Sequence, residues 1–198
     1  MSVVVAKLGV GNTAAVMFAF ERLGIDAALS DDATQISEAP RLVLPGVGAA
    51  AHAMALIDQR GLREVLRRFS RPLLGICLGQ QLLFERSEEG DAQGLGRFPG
   101  AVTRLPSSPD AISPHMGWSR LHAVADHPLL EGVHEGDYAY FVHSYVCPLN
   151  QFTLAQAEYG QPFAAIVGDQ RSFGCQFHPE RSGAVGARIL RNFAILPC

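Results

Sequence analysis

Leu73-Leu74-Gly75-Ile76-Cys77-Leu78-Gly79 is an apolar run that ends in Gly-x-Cys-x-Gly, followed directly by Gln80 and Gln81. Such a run predicts a buried strand over Pro72–Ile76, and the residues behind it predict a helix over Gln80–Glu85. A strand, a Gly-flanked cysteine and a helix form the thiol version of a nucleophile elbow. The glycines allow a sharp turn without a Cβ clash. The turn lifts the sulfur to the top of a sheet, aims a helix N-terminus at it, and leaves the Leu78 N–H free to hold an oxyanion. Taken alone, the same seven residues fit a buried core cysteine between packing glycines equally well.

On the N-terminal side, β and α patterns alternate. Ser2–Ala6, Ile25–Leu29 and Arg41–Leu44 read as strands, the last cut off by Pro45-Gly46. After Gly9-Val10-Gly11, Asn12 or Thr13 caps a helix carrying Val16, Met17, Phe20 and Leu23 at helical spacing, and Gly24 closes it. Helices are expected over about Gly48–Asp58 and Leu62–Phe69. Beyond about Gly94 the texture changes to short strands: Ala101–Leu105, Trp118–His122, Tyr138–His143, Thr153–Tyr159, Phe163–Val167 and Ser172–Phe177. A last helix covers about Gly183–Phe193. This order predicts an α/β fold: a three-layer open sheet with mainly parallel core strands, helices on both faces and antiparallel strands added to the sheet. No repeat or linker divides the chain, so one domain over 1–198 is expected.

Composition narrows the function. Of 198 residues, 48% are hydrophobic and 18% charged, a globular balance. Lys plus Arg number 16 against 19 Asp plus Glu, so there is no basic excess for a nucleic acid. Met1–Lys7 lacks the basic start and apolar core of a signal peptide, and the longest apolar run, Ala14–Phe20, is too short for a membrane span. Cys77, Cys147, Cys175 and Cys198 are scattered without CxxC spacing, which indicates neither a metal site nor a disulfide framework. A reducing cytoplasm is the expected compartment.

Gln176-Phe177-His178-Pro179-Glu180 supplies what Cys77 lacks. Proline pushes His178 towards extended geometry, in which residues two apart share a side. His178 can then face Cys77 while Glu180 holds its other nitrogen, giving nucleophile, base and orienter. The pair alone would read as surface residues beside a turn; with Gly-x-Cys-x-Gly the catalytic reading prevails.

Gly75-Ile-Cys77-Leu-Gly79-x-Gln81 and Gln176-Phe-His178-Pro-Glu180-Arg-Ser182 together resemble the class I, triad-type glutamine amidotransferases. Pro45-Gly-Val-Gly48, Pro114-His-Met-Gly-Trp118 and Tyr140-Phe-Val-His-Ser-Tyr145, in this order, extend the resemblance over nearly the whole chain. It implies the class I amidotransferase fold and a glutaminase. Cys77 would attack the glutamine amide and form a γ-glutamyl thioester. His178 would protonate the leaving ammonia and then activate water, and Glu180 would orient it. Backbone N–H groups at Leu78 and in the Gly46–Val47 strand would hold the oxyanion. Gln81, Ser144 and Tyr145 match positions that hold the substrate's amino-acid end. The motif order is similar to subunits that feed ammonia to a cyclase in a heterodimer, with Asn12, Met116, Trp118, Tyr138 and Arg181 as interface candidates. No metal or organic cofactor is implied, because a thiolate and an imidazole suffice for acyl transfer.

Departures are local. The family usually opens with Asp-Tyr-Gly-x-Gly-Asn, where this chain has Lys7-Leu8-Gly9-Val10-Gly11-Asn12. Gln80 replaces a Met, and Val146 stands where an aromatic is common. His52, His122, His127 and His134 read as solvated, His115 and His143 as packing or interface residues, and Cys147, Cys175 and Cys198 as spectators, with Cys175 pointing away from His178. Three other readings stay open. The same chemistry could serve surface-sugar amination. It could belong to an anthranilate or pyridoxal phosphate system. Or the subunit could only scaffold its partner.

Overall fold

Runs of β-branched residues and leucine fix the centre of the molecule. In the computed structural model, which describes residues 3–9 and 11–197, these residues run in order through nineteen strands and α-helices. The first half comprises β1 (Val3–Ala6), α1 (Thr13–Arg22), β2 (Ala27–Ser30), α2 (Ala33–Glu38), β3 (Leu42–Gly46), α3 (Ala50–Gln59), α4 (Arg63–Arg68), β4 (Leu73–Cys77) and α5 (Leu78–Leu82). The second half comprises β5 (Phe84–Ser87), β6 (Ala92–Gln93), β7 (Phe98–Arg104), β8 (His115–Arg120), β9 (Tyr138–His143), β10 (Tyr145–Val146), β11 (Thr153–Tyr159), β12 (Gln161–Gly168), β13 (Ser172–Cys175) and α6 (Gly183–Ile195).

Seven strands form one sheet in the order β11-β12-β13-β4-β3-β1-β2. β2, β1, β3, β4 and β13 run parallel, and β12 and β11 extend the sheet antiparallel. Alternate residues of the central strands serve two cores, as strand geometry requires. Val3, Val5, Val43, Leu74 and Ile76 meet α1 and α6 on one face. Val4, Ala6, Leu42, Leu44 and Leu73 meet α2, α3, α4 and α5 on the other. The α/β expectation with helices on both faces therefore holds.

Four expectations need correction. The late strands do not all join the main sheet: β10-β7-β5-β6 and β8-β9 form two separate small sheets. β13, read as an added antiparallel strand, is parallel to β4. Pro45-Gly46 does not end β3, because Pro45 pairs with Ile76 and Gly46 with Cys77. Register with β1 stops at Val5–Val43, so the missing N–H of Pro45 falls where a neighbour has already run out. Finally, the helix predicted over Gln80–Glu85 is the short α5, after which the Leu83 carbonyl accepts the N–H groups of Arg97 and Phe98 and the chain turns into β5. The sequence reading also passed over α2, although Asp32 caps it through the Gln35 N–H at 2.8 Å. Ser2, placed in the first predicted strand, and Cys198 lie outside the described residues. Among the described residues, no helix is long and apolar enough to cross a membrane.

Candidate active site

The elbow is built by what it cannot accommodate. A Cβ on Gly79 would lie 1.8 Å from the Leu44 carbonyl oxygen, and one on Gly75 would lie 2.5 Å from the Gly79 backbone. α5 can thus sit directly on β3 and β4 only with glycine at both places. Cys77, between them, is forced to φ 53°, ψ −109°. That left-handed conformation costs on the order of 1–3 kcal/mol in a non-glycine residue, and it raises the sulfur above the strand ends.

Five other segments meet there. A cleft of about 250 Å³ is lined by Val47, Gly48, Cys77, Leu78, Gln81, Glu89, Pro114, Val142, His143, Ser144, Tyr145 and His178. Of the sequence-derived candidates, Cys77, His178, Leu78, Val47, Gln81, Ser144 and Tyr145 all line it. Gly46 does not: it is held in the β3–β4 ladder opposite Cys77. Glu180 stands behind His178, its Oε1 2.8 Å from Nδ1. The contact is made at the start of a 3-10 turn, Pro179–Arg181, rather than along the extended segment expected. Because the carboxylate accepts, Nδ1 carries the proton and Nε2 is left for Cys77. Burial disfavours a charged His178, but hydrogen bonds to Cys77 and Glu180 outweigh it and lift the imidazole to about 10.

His178 is also held by its backbone. Its N–H donates to the Tyr140 carbonyl at 2.9 Å, the Tyr140 N–H donates to Ser182 Oγ at 3.0 Å, and that hydroxyl donates to the His178 carbonyl at 2.7 Å. Neither Ser182 as a brace nor Glu89 as the one carboxylate lining the cleft was singled out from sequence. In sequence Ser182 is only the end of a motif, and nothing in Glu88-Glu89 marks a carboxylate that reaches a cleft.

The interface candidates separate into two groups. Met116, Trp118 and Tyr138 are all exposed on the β8–β9 hairpin. Arg181 lies over the Tyr140 ring at 4.8 Å, and Tyr140 touches Trp118 in turn. Asn12 has a local task, capping α1 through the Ala15 N–H at 3.1 Å. Leu8, in the departing segment, is fully buried, whereas Lys7 is exposed.

The remaining histidines and cysteines sort by burial. His52, His122 and His134 are exposed, as expected. His127 is not simply solvated: it accepts the Leu129 N–H at 3.1 Å and packs on Phe173. Cys147 and Cys175 are buried and their thiols are pushed up, chiefly by burial, Cys147 to about 12. The Cys175 thiol is directed at the Gly75 carbonyl at 3.9 Å. Gln80 is fully buried and donates to the Ala164 carbonyl.

His115 and His143 form a buried pair, 1% and 6% exposed, with His115 Nδ1 3.0 Å from His143 Nε2. Burial lowers His115 to about 4, and burial together with His115 lowers His143 to about 3. Both are therefore neutral in the folded chain at pH 7. An unfolded histidine takes its proton near 6.5, so below that pH the unfolded state binds more protons and stability falls with pH. The pair's contribution is complete above pH 6.5. Roughly 3 kcal/mol per histidine should be lost between pH 6.5 and 4. Denaturant midpoints measured across this range test the slope, and His115→Phe should flatten it.

Comparison with known proteins identifies the family. The family described as Glutamine amidotransferase class-I matches residues 11–196. The chain belongs to the class I glutamine amidotransferases. Within that family it is 51% identical over 185 residues to "Imidazole glycerol phosphate synthase subunit HisH" of Xylella fastidiosa, covering 93% of this chain and 92% of that one. It is 45% identical to the protein of the same name from Idiomarina loihiensis, covering 98% and 97%. Among solved structures, one titled as a glutamine amidotransferase superposes with a TM-score of 0.73 at 22% identity, covering 98% of this chain and 97% of that one. PurLQS from Thermotoga maritima gives 0.69 at 18%, covering 97% and 96%. These two likenesses establish the class I amidotransferase fold.

Proposed function

We propose that this class I amidotransferase is the glutaminase subunit of an imidazole glycerol phosphate synthase. In this reading it hydrolyses glutamine and delivers ammonia to a cyclase subunit, which makes imidazole glycerol phosphate and AICAR in histidine biosynthesis. The observation that carries the chemistry is the meeting of Cys77 and His178 in one cleft, with Glu180 fixed behind the imidazole. The names of relatives at 40–51% identity support the choice of synthase.

Cys77 Sγ attacks the side-chain amide carbon of glutamine. The oxyanion that forms is met by the N–H of Leu78 and by the peptide at Val47. His178 gives its proton to the departing ammonia, leaving a γ-glutamyl thioester, and then takes a proton from the water that hydrolyses it. Glu180 keeps Nδ1 protonated throughout. Glu89, Gln81, Ser144 and Tyr145 receive the amino-acid end, with Glu89 opposite its ammonium. The exposed Met116, Trp118, Tyr138 and Arg181 form the docking face for the cyclase.

Glu180→Gln tests the orienting role. Glutamine can keep the acceptor at the Oε1 position, and its NH₂ would fall where Oε2 is buried with no partner among the described residues. Glutamine hydrolysis should therefore fall less in Glu180→Gln than in His178→Ala, which loses the proton carrier itself. Equal loss in steady-state kinetics would assign Glu180 another task.

The whole reading is tested by reconstitution. The chain mixed with a histidine-pathway cyclase and its phosphoribosyl substrate should form imidazole glycerol phosphate with glutamine as nitrogen donor. Failure to bind that cyclase, with activity towards a sugar-aminating synthase instead, would transfer the subunit to the alternative partner.

A further inference from the structure

Behind the side chains around Cys77 lies a backbone oxygen that can only accept, and its position orders the side chains that meet it. The Tyr145 carbonyl oxygen receives two contacts, from His143 Nδ1 at 2.9 Å and from Gln81 Nε2 at 2.9 Å. A carbonyl accepts only, so His143 must carry its proton on Nδ1, and Gln81 must turn its amide nitrogen inward. The consequences run both ways from this atom.

Outward, a neutral His143 with Nδ1 protonated leaves Nε2 as an acceptor. His115 Nδ1, 3.0 Å away, must then donate. That makes His115 Nε2 an acceptor in turn, and Ser119 Oγ at 3.0 Å donates to it. The His115 ring is held between Tyr159 and Phe141, stacked at 4.1 Å and 5.0 Å between centroids, so it cannot turn over freely. Inward, the second N–H of Gln81 donates to Gln176 Oε1 at 3.0 Å. The orientation of Gln176 is then fixed as well, and its amide nitrogen faces Cys77 Sγ at 3.7 Å.

We infer that Gln176 is a positioning residue that presents an N–H to the Cys77 sulfur, held in that orientation by Gln81, whose amide nitrogen is itself turned inward by the Tyr145 carbonyl. A charge-assisted donor favours the sulfur as it becomes negative, and an amide turned the other way would oppose it with a carbonyl oxygen. These contacts have one direction only. Reversing any member would set two donors or two acceptors face to face in a buried site, which is costly. This inference rests on the reading of Cys77 as the reactive nucleophile.

Two measurements on the full chain test it. Nitrogen-15 NMR of the wild type at pH 7 should find both His115 and His143 as Nδ1–H tautomers. An Nε2–H tautomer of His143 would mean that the Tyr145 carbonyl does not order its neighbours, and overturns the inference. The second measurement is alkylation of Cys77 by iodoacetamide, which has no amino-acid end and so does not report substrate recognition. Gln176→Met removes the donor and should slow alkylation about tenfold. Gln81→Glu leaves Cys77 untouched but offers Gln176 only acceptors, so Gln176 must turn its nitrogen away from the sulfur. Alkylation should slow at least as much in that variant. Rates within twofold of wild type in both variants would overturn the inference. Glutamine hydrolysis by Cys77→Ala would instead overturn the nucleophile assignment, so the two failures can be told apart.

Discussion

Cys77→Ala should abolish glutamine hydrolysis, by a factor on the order of 10⁴ or more, while leaving the fold and the ammonia-dependent reaction of the complex intact. The substitution removes one sulfur from a position whose backbone is set by its neighbours. Gly75 and Gly79, which let α5 rest on the sheet, are unchanged. Alanine at φ 53° bears the same strain as cysteine, so little stability is lost. With ammonium salt in place of glutamine, the cyclase should still turn over. Comparison of the two nitrogen donors in one complex is the deciding assay. Loss of both activities would give Cys77 a role in assembly, and retention of both would remove it from the chemistry. Cys175→Ala should leave turnover unchanged, since its thiol is buried and directed at the Gly75 carbonyl.

The isolated chain should hydrolyse glutamine poorly, and the cyclase with its phosphoribosyl substrate should raise turnover by orders of magnitude. A free glutaminase would release ammonia without use. The freedom needed for control lies at the far wall of the cleft. Gly46 is fixed in the ladder, and a Cβ there would meet Leu78 at 2.9 Å. Val47 is 43% exposed, and Gly48 has φ +95° with open space around it. A peptide between an exposed residue and a glycine reorients cheaply, and this peptide lines the same cleft as Cys77. Initial rates with and without the partner test the prediction. Full activity of the lone subunit would remove the case for control at Val47–Gly48.

Much of this arrangement was legible in the sequence because its signals are local. The elbow is seven residues whose glycines carry their own steric explanation, and His178-Pro179-Glu180 places base and orienter two residues apart. Strand alternation and β-branched runs fixed β1, β3, β4 and the two faces they serve. What escaped depends on partners distant in sequence. The separate small sheets depend on β5 finding β7 and β6, which nothing within Phe84–Ser87 announces. Pro45 reads as a strand end unless it is known that β1 stops short beside it. Glu89 reaches the cleft because its Oε2 accepts the Ala50 N–H at 2.8 Å, a contact across 39 residues. The direction of the hydrogen bonds through His115 and His143 follows from a backbone carbonyl, an atom that every residue has and no motif marks.

β8 is two-sided. Met116, Trp118 and Arg120 are exposed, while His115 is buried and Ser119 half-buried between them. One side would meet a partner in the proposed docking, and the other carries the contacts from Ser119 through His115 and His143 to the Tyr145 carbonyl. Since neighbouring residues of a strand face opposite ways, a one-residue shift exchanges the sides entirely. A single residue inserted between Gly117 and Trp118 would therefore turn Trp118 inward, into the place of Ser119, and Ser119 outward. The exposed tryptophan and the hydrogen bond from Ser119 to His115 would be lost together, although the composition of neither side had been altered. The length of this strand is thus constrained twice, whereas the loop from 121 to 137 that joins it to β9 is constrained by neither of these tasks.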